Sequence, residues 1–166
     1  MTSRKLYLNQ LMLLMAFFAF PSQLLLANDN EIIETTALNK IINDKEVQKR
    51  VIVLYVSAPF CRYCKKLEVE ILNPLLRSGN YEKKILLRKF NIDSKKKIVG
   101  FYGILKKPKE FMNEYGVSIT PTLLFLDHKG NQLSEAITGY TNDEFFWYYL
   151  DNAIKESNKQ LLKNNN

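Results

Sequence analysis

A run of β-branched, aromatic and aliphatic residues at 51–56 leads within four residues into two cysteines, Cys61 and Cys64. A short unbroken apolar run of this kind is typical of a strand buried on both faces. Beyond the first cysteine, apolar residues recur every three or four positions at Cys64, Leu67 and Ile71. This spacing predicts a helix that begins at or beside the cysteines. The pair therefore lies where a buried strand meets a helix.

Two further strands and a hairpin are predicted downstream. Residues 85–93 and 123–126 are short apolar runs bounded by polar or turn residues. Residues 127–130 have the composition of a tight turn into residues 132–138, with Gly130 able to adopt a positive φ. Strands that alternate with helices and end in a hairpin predict an α/β fold, with a central mixed β-sheet flanked by helices.

The predicted helices have recognisable boundaries. Residues 31–49 contain no proline or glycine and are compatible with helix. Pro74 predicts a break in the helix that starts at the cysteines, because proline lacks the backbone donor. Thr141 followed by Glu144 forms a capping-box pattern ahead of an amphipathic closing helix, and the polar residues after Ser157 are expected to fray.

The first 27 residues are predicted to be a secretory signal peptide. Arg4 and Lys5 precede an apolar stretch at residues 11–20, which is short of the roughly 20 residues needed to span a bilayer. Cleavage after Ala27 is expected, placing the mature protein in the periplasm. Leu25 is larger than the side chain usual at the other recognition position, so an uncleaved inner-membrane anchor facing the periplasm is the alternative.

Composition excludes few function classes but bears on partners. The net charge is +7, and lysines cluster at residues 95–97 and 106–109. These clusters lack interleaved aromatic or arginine-rich patterns, which favours a solvated surface over a nucleic-acid site. A hydrophobic content of 46% is enough for one core. We therefore expect one domain, no nucleic-acid partner and no stable membrane span once the signal is removed.

The C-x-x-C spacing in a chain predicted to be exported is typical of a redox-active pair. A thiol attacks a disulfide only as its thiolate, and a helix N-terminus favours negative charge on Cys61, with Arg62 and Lys65 adding positive charge. Cys64, one turn deeper, can then resolve a mixed disulfide formed at Cys61. A structural disulfide and half of a metal site are the alternatives; His128 sits in a turn, and we expect no metal and no cofactor.

Two blocks, residues 53–65 and 116–125, resemble the thioredoxin superfamily. The second block is similar to the family's loop in which a cis-proline faces the active site, and it assigns that role to Pro121. Local sequence alone also allows Thr120-Pro121-Thr122 to be only a strand-entry turn. With Thr120 before the proline and Tyr63 between the cysteines, the chain resembles periplasmic members, including SoxW-type thioredoxins and disulfide isomerases.

The resemblance implies a thioredoxin fold with a basic insertion at residues 94–110, before the cis-proline loop. It implies catalytic residues Cys61 and Cys64, their disulfide, and substrate contacts from Arg62, Tyr63, Thr120 and Pro121. The domain is expected at residues 28–158, followed by a polar C-terminal tail at 159–166. The insertion is interpreted as a solvated connection with aromatics packing on the core, with a helical insertion or a docking surface as alternatives.

The chain also departs from the family pattern. Arg62-Tyr63 stands in place of Gly-Pro between the cysteines, and Phe60 replaces the tryptophan before the first. Tyr55 occupies the place of the family's buried acid, which leaves the proton acceptor for Cys64 open. These differences make cytoplasmic thioredoxin a poorer match than the periplasmic members.

Three functions are compatible with these features. The first is an exported reductase of protein disulfides, recharged by a membrane redox partner and acting as a monomer. The second is a disulfide oxidase or isomerase, favoured by Tyr63 and Thr120-Pro121. The third is a non-catalytic binding module in which the cysteine pair is structural.

Overall fold

A computed structural model describes residues 32–164, so the predicted signal peptide and its cleavage position lie outside the described residues. In chain order the elements are α1 (Leu38–Ile41), α2 (Lys45–Gln48), β1 (Val51–Ser57), α3 (Arg62–Leu67), a π-helical turn (Glu68–Leu72), α4 (Asn73–Ser78), β2 (Ile85–Asn91), β3 (Ile98–Val99), β4 (Leu105–Lys106), α5 (Pro108–Asn113), β5 (Thr122–Leu126), β6 (Ile137–Thr138) and α6 (Asp143–Asn164). None of the described helices is both long enough and apolar enough to cross a membrane.

The central sheet has four strands in the order β2-β1-β5-β6. β1 runs parallel to β2 and antiparallel to β5, and β5 pairs antiparallel with β6, so the sheet is mixed as predicted. At the outer edge of β2, a bridge joins Glu34 to Lys89. Because β1 and β2 are parallel, Ser57 and Asn91 end at the same edge of the sheet, and the cysteines follow directly from that edge.

β1 is buried on both faces, as its continuous apolar run predicted. Its alternate residues Val51, Val53 and Tyr55 enter a core shared with α3, the π-helical turn and α6. The intervening residues enter a second core, on the other face, which contains Phe111 and Met112 of α5. Helices cover both faces of the sheet, so the apolar side chains of its strands are buried in two separate layers.

The prediction of a helix break at Pro74 is wrong, because the helix after the cysteines continues past this residue. It passes through the π-helical turn, in which the Asn73 N–H donates to the Glu68 carbonyl five residues back, and continues as α4 to Ser78. A wider turn gives room beside the proline ring, whose missing donor would otherwise disrupt an α-helical repeat. The helix ends at Gly79, which has a φ of +67°.

The insertion forms a small hairpin, and its last three residues, 108–110, belong to the first turn of α5. β3 and β4 pair antiparallel, and Ala37 bridges to Val99. Phe101 is buried, whereas Tyr102 is 78% exposed. A Cβ built on Gly130, whose φ is +86°, would lie 2.5 Å from the Phe101 ring, so the predicted positive-φ turn also makes room for this aromatic residue. Packing of an aromatic residue onto the core agrees with the interpretation of a solvated connection.

The closing helix α6 differs from its prediction at both ends. At its start the Asn142 side chain, not Thr141, accepts a hydrogen bond from the Phe145 N–H. At its end the helix continues to Asn164, so fraying after Ser157 was wrong. Ser157 and Leu161 are buried, and the Ser157 hydroxyl donates to Ser134 Oγ at 2.8 Å. Within residues 158–164 Leu161 is the one buried residue, and a single apolar position is too weak a pattern to stand out in a polar sequence.

Candidate active site

The cysteine pair lies at the junction between β1 and α3. Cys61 is the N-cap residue of α3 and has an extended backbone, with φ −75° and ψ 101°. Phe60, immediately before it, has a φ of +62°, which is the left-handed region. The chain thus turns sharply after the buried strand and directs the first sulfur to the helix N-terminus.

The two sulfurs are joined in a disulfide, Cys61–Cys64. The backbone N–H of Cys64 lies 3.1 Å from Cys61 Sγ and donates to it. A helix N-terminus presents unpaired N–H groups and the positive end of the helix dipole, an environment that stabilises an anion by roughly 0.3–1 kcal/mol at exposed sites. Upon reduction, the same N–H is placed to stabilise a thiolate at Cys61.

The two cysteines differ in accessibility. Cys61 is partly exposed, whereas Cys64 is only 2% exposed and packs in the core below α3. Arg62 and Lys65 are exposed beside the pair. A partner molecule can therefore reach Cys61 more readily than Cys64.

The loop before β5 faces the first cysteine. β5 pairs with β1 through Val56 and Thr122, which brings the start of β5 to the cysteine edge of the sheet. The Thr120 hydroxyl lies 3.5 Å from Cys61 Sγ, and the Thr120–Pro121 peptide bond is cis. The structure thus brings the cysteine pair, Cys61 and Cys64, next to Thr120 and Pro121, which lie more than fifty residues later in the sequence.

Exposed apolar side chains occur on the segments that carry these residues. Phe60 is fully exposed, Tyr63 is 58% exposed and Ile119 is 57% exposed. Tyr63 was predicted as a contact residue, but Phe60 and Ile119 were not. The sequence feature that could have identified Phe60 and Ile119 is their position, because each directly precedes a predicted site residue.

A buried polar cluster lies beneath α3. The Tyr55 hydroxyl oxygen is 3.0 Å from the Cys64 carbonyl oxygen and 3.1 Å from Glu68 Oε1. Glu68 Oε1 also accepts from Lys89 Nζ at 2.6 Å. Burial raises the pKa of Tyr55 well above its usual value, so this phenol keeps its proton and acts as a donor. Sequence reasoning singled out Tyr55 but missed Glu68 and Lys89.

His128 does not join the site. It follows β5 at the end opposite Pro121, in the turn before Gly130, and its Nδ1 is buried with no hydrogen-bond partner among the described residues. Within residues 32–164, no group of three histidine, cysteine or acidic side chains is arranged to hold a metal ion.

The fold and the site together define a class of protein. The sheet is mixed and covered by helices, a C-x-x-C pair caps the helix after a central strand, and a proline loop faces the pair. This arrangement is a thioredoxin fold. The cysteine pair suggests thiol–disulfide exchange. The chain belongs to the thioredoxin superfamily: the family model of a thioredoxin-like domain matches residues 38–154.

Solved thioredoxin structures with TM-scores of 0.50 and above show the same fold. The thioredoxin of Malassezia sympodialis, Mala s 13, is 16% identical with a TM-score of 0.52, covering 77% of this chain and 91% of its own. Mitochondrial thioredoxin 3 of Saccharomyces cerevisiae is 22% identical with a TM-score of 0.50, covering 75% of this chain and 94% of its own. The periplasmic thioredoxin SoxS of Paracoccus pantotrophus is 17% identical with a TM-score of 0.45, covering 65% and 99%. No curated protein matches the sequence significantly.

Proposed function

We propose that this chain is an exported thiol–disulfide oxidoreductase that reduces protein disulfides, with Cys61 as nucleophile and Cys64 as resolving thiol. The observation that carries the proposal is the different placement of the two sulfurs. Cys61 is accessible and receives the Cys64 N–H at 3.1 Å, whereas Cys64 is 2% exposed. A thiolate is the attacking species in disulfide exchange, so the sulfur that is both accessible and hydrogen-bonded is the nucleophile.

The reaction proceeds in two exchanges. The Cys61 thiolate attacks one sulfur of a substrate disulfide, forming a mixed disulfide and releasing the other substrate sulfur as a thiolate that takes a proton. The Cys64 thiolate then attacks Cys61 Sγ, forming the Cys61–Cys64 disulfide and releasing the second substrate thiol. Two electrons pass to the substrate, and a thiol donor at the membrane returns the pair to the dithiol state.

Protein substrates are proposed to dock on the exposed apolar residues around Cys61. Phe60, Tyr63 and Ile119 present rings and an aliphatic chain on the segments that flank the sulfur. The backbone at Thr120 would pair with an extended substrate segment, because the adjacent proline ring provides no competing donor. Arg62, which is exposed at the first turn of α3, would contact the same segment.

Export and the direction of electron flow rest on sequence features. The basic and apolar pattern of residues 1–27 supports secretion, with the periplasm as the proposed location and monomer as the proposed state. Arg62 and Tyr63 lie between the cysteines in place of the glycine and proline of reducing thioredoxins. The potential of the pair is therefore the decisive measurement for direction.

The test combines trapping with redox titration on the protein lacking residues 1–27. Cys61→Ser should abolish reduction of insulin by dithiothreitol-recharged protein, and Cys64→Ser should accumulate a mixed disulfide visible by mass spectrometry. These two substitutions are matched, since each removes one sulfur from the same pair. Equilibration with glutathione should give a potential near that of thioredoxin, about −270 mV.

Two results would contradict the proposal. A potential near about −120 mV, that of a strong oxidant, would reverse the direction and favour an oxidase. Absence of any mixed disulfide with Cys64→Ser, together with unchanged binding of a partner when both cysteines are serine, would favour a non-catalytic module.

A further inference from the structure

Three arginines line one cavity outside the proposed redox site. The cavity has a volume of about 380 Å³, and its walls include Arg50, Arg77 and Arg88. Arg50 directly precedes β1, Arg77 is in the last turn of α4, and Arg88 lies on β2. The cavity shares no lining residue with the open groove beside Cys61 and Cys64. A molecule bound there would leave the cysteine pair accessible.

The three guanidinium groups have no carboxylate to neutralise them. Every ion pair among the described residues has a lysine as its cation, so none of the three arginines is paired with an aspartate or glutamate there. Glu82 also lines the cavity, but its side chain is exposed and makes no ion pair with them. Three positive charges therefore share this cavity without a counter-charge from the described chain.

Hydrogen bonds to the backbone hold two of these groups. Arg50 donates from Nε to the Glu46 carbonyl at 3.2 Å and from Nη1 to the Glu82 carbonyl at 3.4 Å. Arg88 donates from Nη1 to the Leu87 carbonyl at 2.9 Å. A guanidinium has five N–H donors, so both groups keep donors for a ligand. The carbonyls fix the groups in place but bring no negative charge.

The position of Arg88 has an electrostatic cost. Its side chain is partly buried, whereas arginine is mostly exposed in folded proteins. Burial lowers the pKa of the Arg88 guanidinium, and the positive charge of Arg50 lowers it further. The guanidinium stays protonated at neutral pH, so two like charges are held near each other. An anion in the cavity would offset this repulsion.

Ordinary roles of surface arginines do not account for all three. Arg77 lies in the last turn of α4, where a cation interacts favourably with the helix dipole. Arg88 belongs to a strand, so this explanation does not apply to it. A cation needed for solubility alone would be exposed, as Lys83 is. The partly buried arginine is therefore better explained by a ligand.

We propose that this cavity binds a compact oxyanion of the phosphate type, either free phosphate or the phosphate monoester headgroup of a lipid. Guanidinium groups bind phosphate through charge-assisted N–H···O bonds, often in parallel pairs. A carboxylate has two oxygens, whereas a phosphate has further oxygens that point in other directions. Three arginines on three separate elements therefore suit a phosphate better than a carboxylate.

The arginine side chains themselves report binding by NMR. The Nε–H signals of the isotopically labelled full chain are followed as inorganic phosphate is added at constant ionic strength. The signals of Arg50, Arg77 and Arg88 should shift and saturate. The signal of Arg62, which is exposed beside the cysteines, should not and is the internal control. Acetate, the carboxylate comparison, should bind more weakly than phosphate.

Arg77→Gln is the test variant, because Arg77 is exposed and its replacement leaves the core intact. Lys83→Gln is the matched control, since it removes the same charge from an exposed position outside the cavity. Arg77→Gln should weaken phosphate binding by about 10-fold to 100-fold, the range for hydrogen bonds to a charged group. Lys83→Gln should leave the affinity nearly unchanged, because salt screens an exposed charge.

Vesicles distinguish the two sources of the phosphate group. The full chain is sedimented with phosphatidylcholine vesicles that contain or lack phosphatidic acid, whose headgroup is a phosphate monoester. Residues 1–27 are the same in every variant, so the difference between the parent and Arg77→Gln reports on the cavity. Greater retention of the parent by phosphatidic acid would identify the lipid as the source. Saturable binding of inorganic phosphate without such a difference would identify the free ion.

Three results would overturn the phosphate site. The first is a shift that grows in proportion to phosphate concentration, or one that affects Arg62 equally. The second is equal phosphate affinity of Arg77→Gln and the parent. The third is acetate binding as tight as that of phosphate. The titration of the parent needs no variant, so it decides alone if Arg77→Gln does not fold.

Discussion

At the scale of single residues, the most unusual conformation lies beside the nucleophile. Phe60 has a φ of +62° and a side chain that is fully exposed. A residue with a Cβ in the left-handed region costs roughly 1–2 kcal/mol, and an exposed ring recovers none of this by burial. A strained backbone and an exposed aromatic ring at one position support a role in docking substrates.

Substitution of Phe60 separates the backbone from the ring. Phe60→Gly relieves the left-handed strain and Phe60→Ala keeps it, so the glycine variant should be more stable by about 1 kcal/mol in urea unfolding. Both variants lose the ring, so both should raise KM for a protein disulfide by a similar factor. Neither should change the rate with a small disulfide such as oxidised glutathione.

The alanine variant is the control for the ring. Equal stability of the two variants would contradict the left-handed conformation at position 60. A KM for protein substrate that stays at the parent value in both would remove Phe60 from the docking surface.

At the scale of elements, local sequence patterns predicted individual strands, helices and turns. They did not predict contacts between elements that are distant in sequence. The strand at 51–57, the helix from the cysteines and the turn at Gly130 each follow from short-range periodicity or backbone conformation. The pairing of Glu68 with Lys89 joins two elements 21 residues apart, and no local pattern signals it. The π-helical turn before Pro74 was missed because we expected the proline to end the helix and did not consider a wider turn that accommodates its ring.

The C-terminal end of α6 tests how far packing extends a polar helix. Leu161 is 2% exposed and its neighbour Leu162 is 67% exposed. Leu161→Ala should lower the free energy of unfolding by about 2–5 kcal/mol, because it removes buried methyl groups and leaves a cavity. Leu162→Ala should change it by less than about 0.5 kcal/mol. Chemical denaturation of the two variants checks this, and equal effects would mean that the last turns of α6 do not pack on the core.

At the scale of the whole molecule, the site is built around the most deeply buried element. Every residue of β1 is buried, and the strand lies between β2 and β5 with a core on each face. Cys61 and Cys64 follow this strand, while Pro121 and Thr122 enter the sheet on its neighbour β5. We expect a scaffold of this kind to hold the loop beside the sulfur in the reduced protein as well.

Native-state hydrogen exchange would show this division directly. Amides of β1 and β5 should exchange only by global unfolding, because their hydrogen bonds lie between two apolar layers. Amides of β3 and β4 should exchange through smaller openings, since this pair has two residues per strand and exposes Tyr102, Ile104 and Leu105. Their opening free energies should fall several kcal/mol below those of β1 and should not depend on the disulfide. Equal protection of the hairpin and β1 would instead make the insertion part of the cooperative core, with the packing of Phe101 against the turn at Gly130 as the contact that joins them.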